Sequence, residues 1–295
     1  MKYFKPLFFV AFAMIILSFS NANHQTNVNT SLENMVLVQT GTFRLGIDSV
    51  QLKKDMARFN EPASFFSQEY PSIRVTVQPY YIDKYEVTNA EYKEFVKANP
   101  QWSKTNIADS LQDGKYLKDW KGDKYPKGEA NYPVTYVSYY AASAYAKWRG
   151  KRLPMEVELE YAAKGNRHVP IEFPWGNADA TPVLANYAAS SGHPVRVGSY
   201  SANDLGIYDL AGNVSEFCLD RWQQDSYAWR AQFAIDRRPG IAKTDPKKVV
   251  IRGGSWNDPA VKLRTTWRES CGINSCNAYT GFRCVANANI SRVLN

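Results

Sequence analysis

Gly206-Ile-Tyr-Asp-Leu-Ala-Gly-Asn-Val-Ser-Glu216 is the stretch on which the reading of this chain turns. It belongs to the chain beyond Gly165, which is rich in Gly, Asn, Pro and aromatic residues, and Gly and Asn supply the positive-φ positions that a loop-built region needs. Working toward the C-terminus, residues 249–252 and 281–285 read as strands, with 263–268 a neighbour. Working toward the N-terminus, the signals are more regular. A helix follows Pro154 and stops at Gly165, and another runs from Ser138 through Tyr145 to Trp148 and stops at Gly150, glycine being the usual left-handed helix stop. Thr88 and Glu91 form a Thr-x-x-Glu capping box for a third helix, whose buried face is Tyr92, Phe95 and Val96. Ile73, Val75 and Val77 alternate in a strand that leads to Tyr81-Ile-Asp83. Residues 35–46 alternate around a glycine-containing turn and predict a β-hairpin. Residues 99–131 are charged, lack sustained periodicity and predict a surface insertion. The expectation is one α+β domain with two or three helices and a loop-rich second half.

Composition narrows the class. The chain has 295 residues, 44% of them hydrophobic and 14% aromatic, which excludes disorder and collagen-like repeats. Its 36 Lys and Arg against 28 Asp and Glu leave +8, and removing Lys2 and Lys5 with a leader would leave +6. The charges are interspersed rather than gathered into a basic face, so nucleic acid is not the expected partner. Met1-Lys-Tyr-Phe-Lys5, an apolar run to Phe19 and Ser20-Asn-Ala22 together read as a cleaved signal peptide over residues 1–22. The run is shorter than the roughly 20 residues of a membrane span. No cysteine precedes Cys218, so a lipid anchor is excluded. The expectation is a secreted or periplasmic protein with a polar lead over 23–34, a domain over 35–295 and no stable membrane anchor after cleavage, in a compartment that favours disulfides.

Four blocks then occur in order. They are Tyr81-Ile-Asp-Lys-Tyr-Glu-Val-Thr-Asn89; Arg149-Gly-Lys-Arg-Leu-Pro-Met-Glu-Val-Glu-Leu-Glu-Tyr-Ala-Ala-Lys-Gly165 with Phe173-Pro-Trp-Gly-Asn177; the 206–216 stretch; and Arg252-Gly-Gly-Ser-Trp256 with Gly281-Phe-Arg-Cys284. Together they resemble the formylglycine-generating enzyme, or sulfatase-modifying factor, family over about residues 35–286. The resemblance implies an α+β fold, a variant of the C-type-lectin-like fold with little regular secondary structure. Fold alone does not settle activity.

In family members that oxidise a cysteine to formylglycine, two cysteines hold copper(I), a soft ion that demands soft ligands. The resemblance puts them three and eight residues after the serine of the Gly-Gly-Ser block, where this chain has Asp258 and Leu263. No copper is expected there. Cys271-Gly-Ile-Asn-Ser-Cys276 predicts a structural disulfide in an oxidising compartment, a reactive pair being the alternative, and Cys218 with Cys284 is left open as a second pair. A three-histidine iron site, as in ergothioneine-type sulfoxide synthases, is disfavoured because outside the polar lead only His168 and His193 remain.

The resemblance also implies structural calcium, with side-chain oxygens from Asp209 and Glu216 and carbonyls from Gly212 and Val214, hard donors that suit the ion. Two functions stay open. One is a secreted module that holds a peptide or another extracytoplasmic protein in the family cleft. The other is a periplasmic tailoring enzyme acting on a peptide-derived substrate, like pyoverdine-maturation relatives, with Trp256, Asp258, Arg264, Arg268 and Glu269 as cleft candidates; for each of these charges a structural ion pair is the competing reading.

Overall fold

The structure, a computed structural model, describes residues 32–165, 170–236 and 243–288. The expected signal peptide and most of the polar lead fall outside the described residues. Among the described residues no helix is long and apolar enough to cross a membrane.

Strands β1 (Met35–Val38), β4 (Tyr80–Asp83) and β9 (Val285–Asn287) form an antiparallel sheet with β4 in the centre. Strands β2 (Gly41–Leu45) and β3 (Ile73–Val77) pair with each other. Residues 35–46 are therefore not a hairpin. They are two strands of different sheets, because β1 finds its partner in β4 and β2 finds its own in β3. Between β2 and β3 lies helix α1 (Ser49–Phe59), capped by the Asp48 side chain on the amides of Val50 and Gln51. Helix α2 (Asn89–Ala98) starts at the expected capping box, α3 (Tyr139–Trp148) at Ser138, and α4 (Glu156–Lys164) ends at Gly165 with φ 63°. The second half holds β5 (Ser215–Trp222), α5 (Ser226–Asp236), β6 (Asp245–Arg252), β7 (Arg268–Gly272) and the two-residue β8 (Thr280–Gly281). These strands make a sheet of order β7-β6-β5-β8. The strand expected at 263–268 starts at Arg268 instead, since residues 260–263 form a 3-10 turn that buries Val261 and Leu263.

Residues 99–131 also depart from expectation. They carry little regular structure, yet Ile107, Tyr116, Leu117 and Trp120 are buried in the main core with Tyr92, Phe95, Tyr145 and Phe282. Aromatic side chains anchor this segment where periodicity is missing, and Lys104 Nζ donates to the carbonyls of Lys118 (2.9 Å) and Trp120 (2.6 Å). The segment is a wall of the core rather than a surface insertion. A second core cluster joins β1, β3 and β4 to α4 and the central strands through Val38, Val77, Ile82, Leu159 and Val250.

Four arginines, Arg252, Arg264, Arg268 and Arg283, are buried. A buried guanidinium is tolerated only when paired and hydrogen-bonded. Arg252 reaches Glu156 and Glu160 of α4, and Arg268 donates through Nε to Glu156 at 2.6 Å while lying over the Trp222 and Tyr227 rings. These pairs tie α4 to the ends of β6 and β7, which positions the Gly-Gly-Ser-Trp loop between them.

Candidate functional site

The loop after β6 doubles back because Gly253 and Gly254 adopt φ of 90° and 69°. A Cβ on Gly254 would come within 2.8 Å of the Lys262 carbonyl, so only glycine permits this close passage. The loop is stitched to the 206–216 stretch by Gly212 N to Gly253 O (2.9 Å) and Trp256 N to Asn213 O (2.8 Å). Gly212 itself, at φ 79°, lies where a Cβ would meet the Asn186 carbonyl at 2.4 Å.

The positions at which the resemblance puts copper thiolates are occupied by groups already engaged in the fold. Asp258 Oδ2 accepts from the backbone amide (2.9 Å) and hydroxyl (2.6 Å) of Ser255, and its Oδ1 pairs with Lys262 at 3.1 Å. Leu263 is fully buried with Phe173, Ala185 and Ala211. Carboxylate and hydrocarbon replace two soft donors, and neither suits copper(I). On the adjoining surface Trp256 is half-buried, its Nε1 donating to Ala278 O at 3.0 Å, with the exposed Tyr279 ring 5.3 Å away. This aromatic pair offers apolar area with polar tips to a ligand chain.

The other cleft candidates are placed differently. Arg264 is buried away from the loop surface, held by Glu69 (2.6 and 2.9 Å), Asp55 (3.0 Å) and the Phe66 ring. Arg268 is likewise buried against Glu156. Both are structural ion-pair centres, which is the competing reading of these charges and takes them out of the cleft. Glu269 is partly exposed and pairs with Lys262 at 2.8 Å, so Lys262 bridges Asp258 and Glu269.

Arg264 also faces a carboxyl that the sequence did not single out. Glu172 is 9% exposed. Its Oε1 has no hydrogen-bond partner among the described residues and lies 3.8 Å from Arg264 Nε, while Oε2 accepts from Gln51 at 3.2 Å and has Arg58 at 3.6 Å. Burial, followed by the charge of Asp55, pushes its pKa up to about 7. Glu172 lines a cavity of about 1200 Å³ between the β2–β3 pair, α1 and the end of α4. No motif marks it, because its role comes from three segments far apart in the chain.

In the expected calcium loop, Asp209 and Asn213 both adopt positive φ. Asp209 Oδ2 accepts from Gly198 N at 2.6 Å, whereas the buried Oδ1 has no partner among the described residues. Both oxygens of Glu216 are held by Arg283, at 2.6 and 2.7 Å. Glu86, of the Tyr81–Asn89 block, is buried beside them and accepts from Asn213 Nδ2 (2.6 Å) and Val214 N (3.2 Å). Three buried acids thus share one guanidinium. Burial raises the pKa of each, that of Asp209 to about 6. Among the described residues no three His, Cys, Asp or Glu side chains form a metal-holding group. The expected set has only two carboxylates, with two carbonyls. Its hard oxygens and the orphaned Asp209 oxygen fit a calcium ion, provided that Glu216 is shared between the ion and Arg283.

All four cysteines are free thiols and buried, so the expected Cys271–Cys276 link is not formed in this structure. Cys276 Sγ lies 3.5 Å from the Asn274 carbonyl, and Cys271 Sγ accepts from Asn277 at 3.8 Å. Cys218 and Cys284 belong to different core clusters and do not pair. Burial raises the pKa of all four, that of Cys276 to about 12.

A family model described as the sulfatase-modifying factor enzyme 1-like domain matches residues 20–288. The chain belongs to this family. It is 30% identical to the formylglycine-generating enzyme of Thermomonospora curvata, over 86% of this chain and 94% of that protein. It is 28% identical to the inactive C-alpha-formylglycine-generating enzyme 2 of Bos taurus, over 88% and 90%. It is 31% identical to the serine/threonine-protein kinase pkn1 of Chlamydia pneumoniae, but spans only 38% of that protein's length. Among solved structures, PvdO from Pseudomonas aeruginosa matches with a TM-score of 0.63 and 27% identity, covering 86% of this chain and 94% of that one. The sulfatase-modifying factor fold, α+β and loop-rich, is thus the fold of this chain.

Proposed function

We propose that this sulfatase-modifying factor domain is an extracytoplasmic module that holds a peptide or a partner protein without generating formylglycine. The observation that carries the reading is the fate of the copper positions: Asp258 is spent on Ser255 and Lys262, and Leu263 is packed in the core. A leader at 1–22 and a relative named as inactive support it. The peptide rests on the Trp256–Tyr279 pair, and calcium held by Asp209, Glu216 and the carbonyls of Gly212 and Val214 fixes the loop beneath. The test is incubation of the wild type with copper, oxygen and a Cys-x-Pro-x-Arg peptide. The expected result is an intact thiol, together with retention of peptides that Trp256→Ala loses. Appearance of an aldehyde would overturn the reading.

A second reading, a tailoring enzyme acting on a peptide-derived substrate, is favoured by Glu172, a carboxyl lining a large cavity and poised near neutrality, as a general acid or base requires. A mass change in an envelope peptide that disappears with Glu172→Gln would select it.

A further inference from the structure

On the outer face of the β2–β3 pair, Thr42 lies opposite Thr76 and Arg44 opposite Arg74. The two threonine hydroxyls hydrogen-bond at 2.8 Å, as cross-strand partners do. The two arginines cannot. Residues directly opposite in an antiparallel pair have Cβ atoms about 5 Å apart, and like charges there weaken the pairing. Both arginines are exposed, and Arg44 reaches only Ser72 Oγ, at 3.4 Å. Among the described residues no carboxylate lies within ion-pair distance of either.

Both arginines line the 1200 Å³ cavity described above, with Lys54 of α1 on another wall. The acids of these walls are turned to other work. Asp48 Oδ1 caps the first amides of α1, Asp55 serves Arg264 and Gln51, and Glu172 lies against Arg264, Gln51 and Arg58. Lys164 is neutralised by Glu160. Among the described residues, Arg44, Arg74 and Lys54 line the open space with no ion-pair partner, Asp48 being the one acid of these walls whose charge is not already paired with a cation. The volume far exceeds that of a simple inorganic ion and lies somewhat above the roughly 300–1,000 Å³ of ordinary organic-ligand pockets.

We infer that this cavity is a binding site for an organic or condensed polyanion, bearing two or more carboxylate or phosphate groups, which the Arg44–Arg74 pair clamps. The paired guanidinium forks match carboxylate or phosphate oxygens, and the bound anion relieves the repulsion that the β2–β3 pair otherwise carries. The site is separate from the Gly-Gly-Ser-Trp loop and stands whether or not a peptide rests there.

The experiment uses citrate and pyrophosphate as probes at low ionic strength, read by thermal unfolding and titration calorimetry. Either probe should raise the melting temperature of the wild type, citrate alone marking a carboxylate ligand and pyrophosphate alone a phosphate one. Arg74→Gln and Arg44→Gln should each weaken binding at least tenfold. Neither should lower the melting temperature of the free protein, because each removes a repulsion. Lys53→Gln, which subtracts the same charge from an exposed residue outside the cavity, should bind as the wild type does. No response to either probe, equal binding by Arg74→Gln, or equal loss with Lys53→Gln would overturn the inference.

Discussion

Replacing Glu172 by Gln tests the electrostatics of the cavity wall directly. In the unfolded chain this carboxyl titrates near 4.5, and in the fold burial lifts it to about 7. Between those values the native state holds more protons than the unfolded state, so stability is greatest below the unfolded pKa and falls as pH rises through the folded one. At about 1.4 kcal/mol per pKa unit, the loss reaches roughly 3 kcal/mol by pH 8. The attraction of Arg58 and Arg264 is already contained in the folded pKa, since both oppose the shift. Glutamine keeps the shape and cannot ionise. Urea unfolding of the wild type and the variant at pH 5, 6, 7 and 8 should therefore give curves that nearly coincide at pH 5. They should separate until the variant is the more stable by about 2–3 kcal/mol at pH 8. Taking the difference between the two proteins cancels the titration of distant acids. A difference that stays flat, or that turns against the variant as pH rises, would refute the assignment of a buried, reluctantly charged Glu172.

Calcium at a hundred times its dissociation constant should stabilise the protein by about 2.7 kcal/mol, and a chelator should remove this. Asp209→Asn should abolish the response, and a melting curve indifferent to chelator in the wild type would reject the site. Glu216 is the poorer choice for that test, since its loss strands the buried Arg283. The four buried thiols should resist iodoacetamide in the native protein and all react once it is unfolded without reductant; a disulfide-linked 271–276 peptide would contradict the structure. Arg268→Met should cost about 3–5 kcal/mol by leaving Glu156 short of a counter-charge, and adding Glu156→Gln should recover part of it. A loss under 1 kcal/mol in denaturant unfolding would show that the pair contributes little.

How much of this was legible beforehand depended on whether a signal was local. The capping box at Thr88, the stop at Gly165 and the strand at Ile73–Val77 are written in neighbouring residues, and all three occur. The pairing of β1 with β4 rather than β2 is not, because alternation specifies a strand and leaves its partner open. Helix α1 leaves little trace in the sequence, since its Ser-Val-Gln-Leu-Lys-Lys pattern is weakly apolar and what it buries is Asp55 against Arg264. The same holds at the site. The family resemblance located Asp258 and Leu263, whereas Arg264 and Arg268 read in sequence either as cleft groups or as ion-pair members, and only the fold shows them buried among acids. Glu172 and Glu86 acquire their environments from segments remote in the chain.

The buried arginine pairs also bear on the order in which the molecule can assemble. Arg264 lies 209 positions after Asp55 and 195 after Glu69, Arg268 lies 112 after Glu156, and Arg283 lies 67 after Glu216. Each acid belongs to an earlier part of the polypeptide than its counter-charge, and the wait is longest for those nearest the start. A chain emerging N-terminus first therefore carries Asp55, Glu69 and Glu156 as unmatched, hydrated charges until the last fifth has appeared. Contacts between residues so far apart in the chain close slowly. The three buried guanidinium centres can therefore form only once residues 264–283 are available to the acids that precede them.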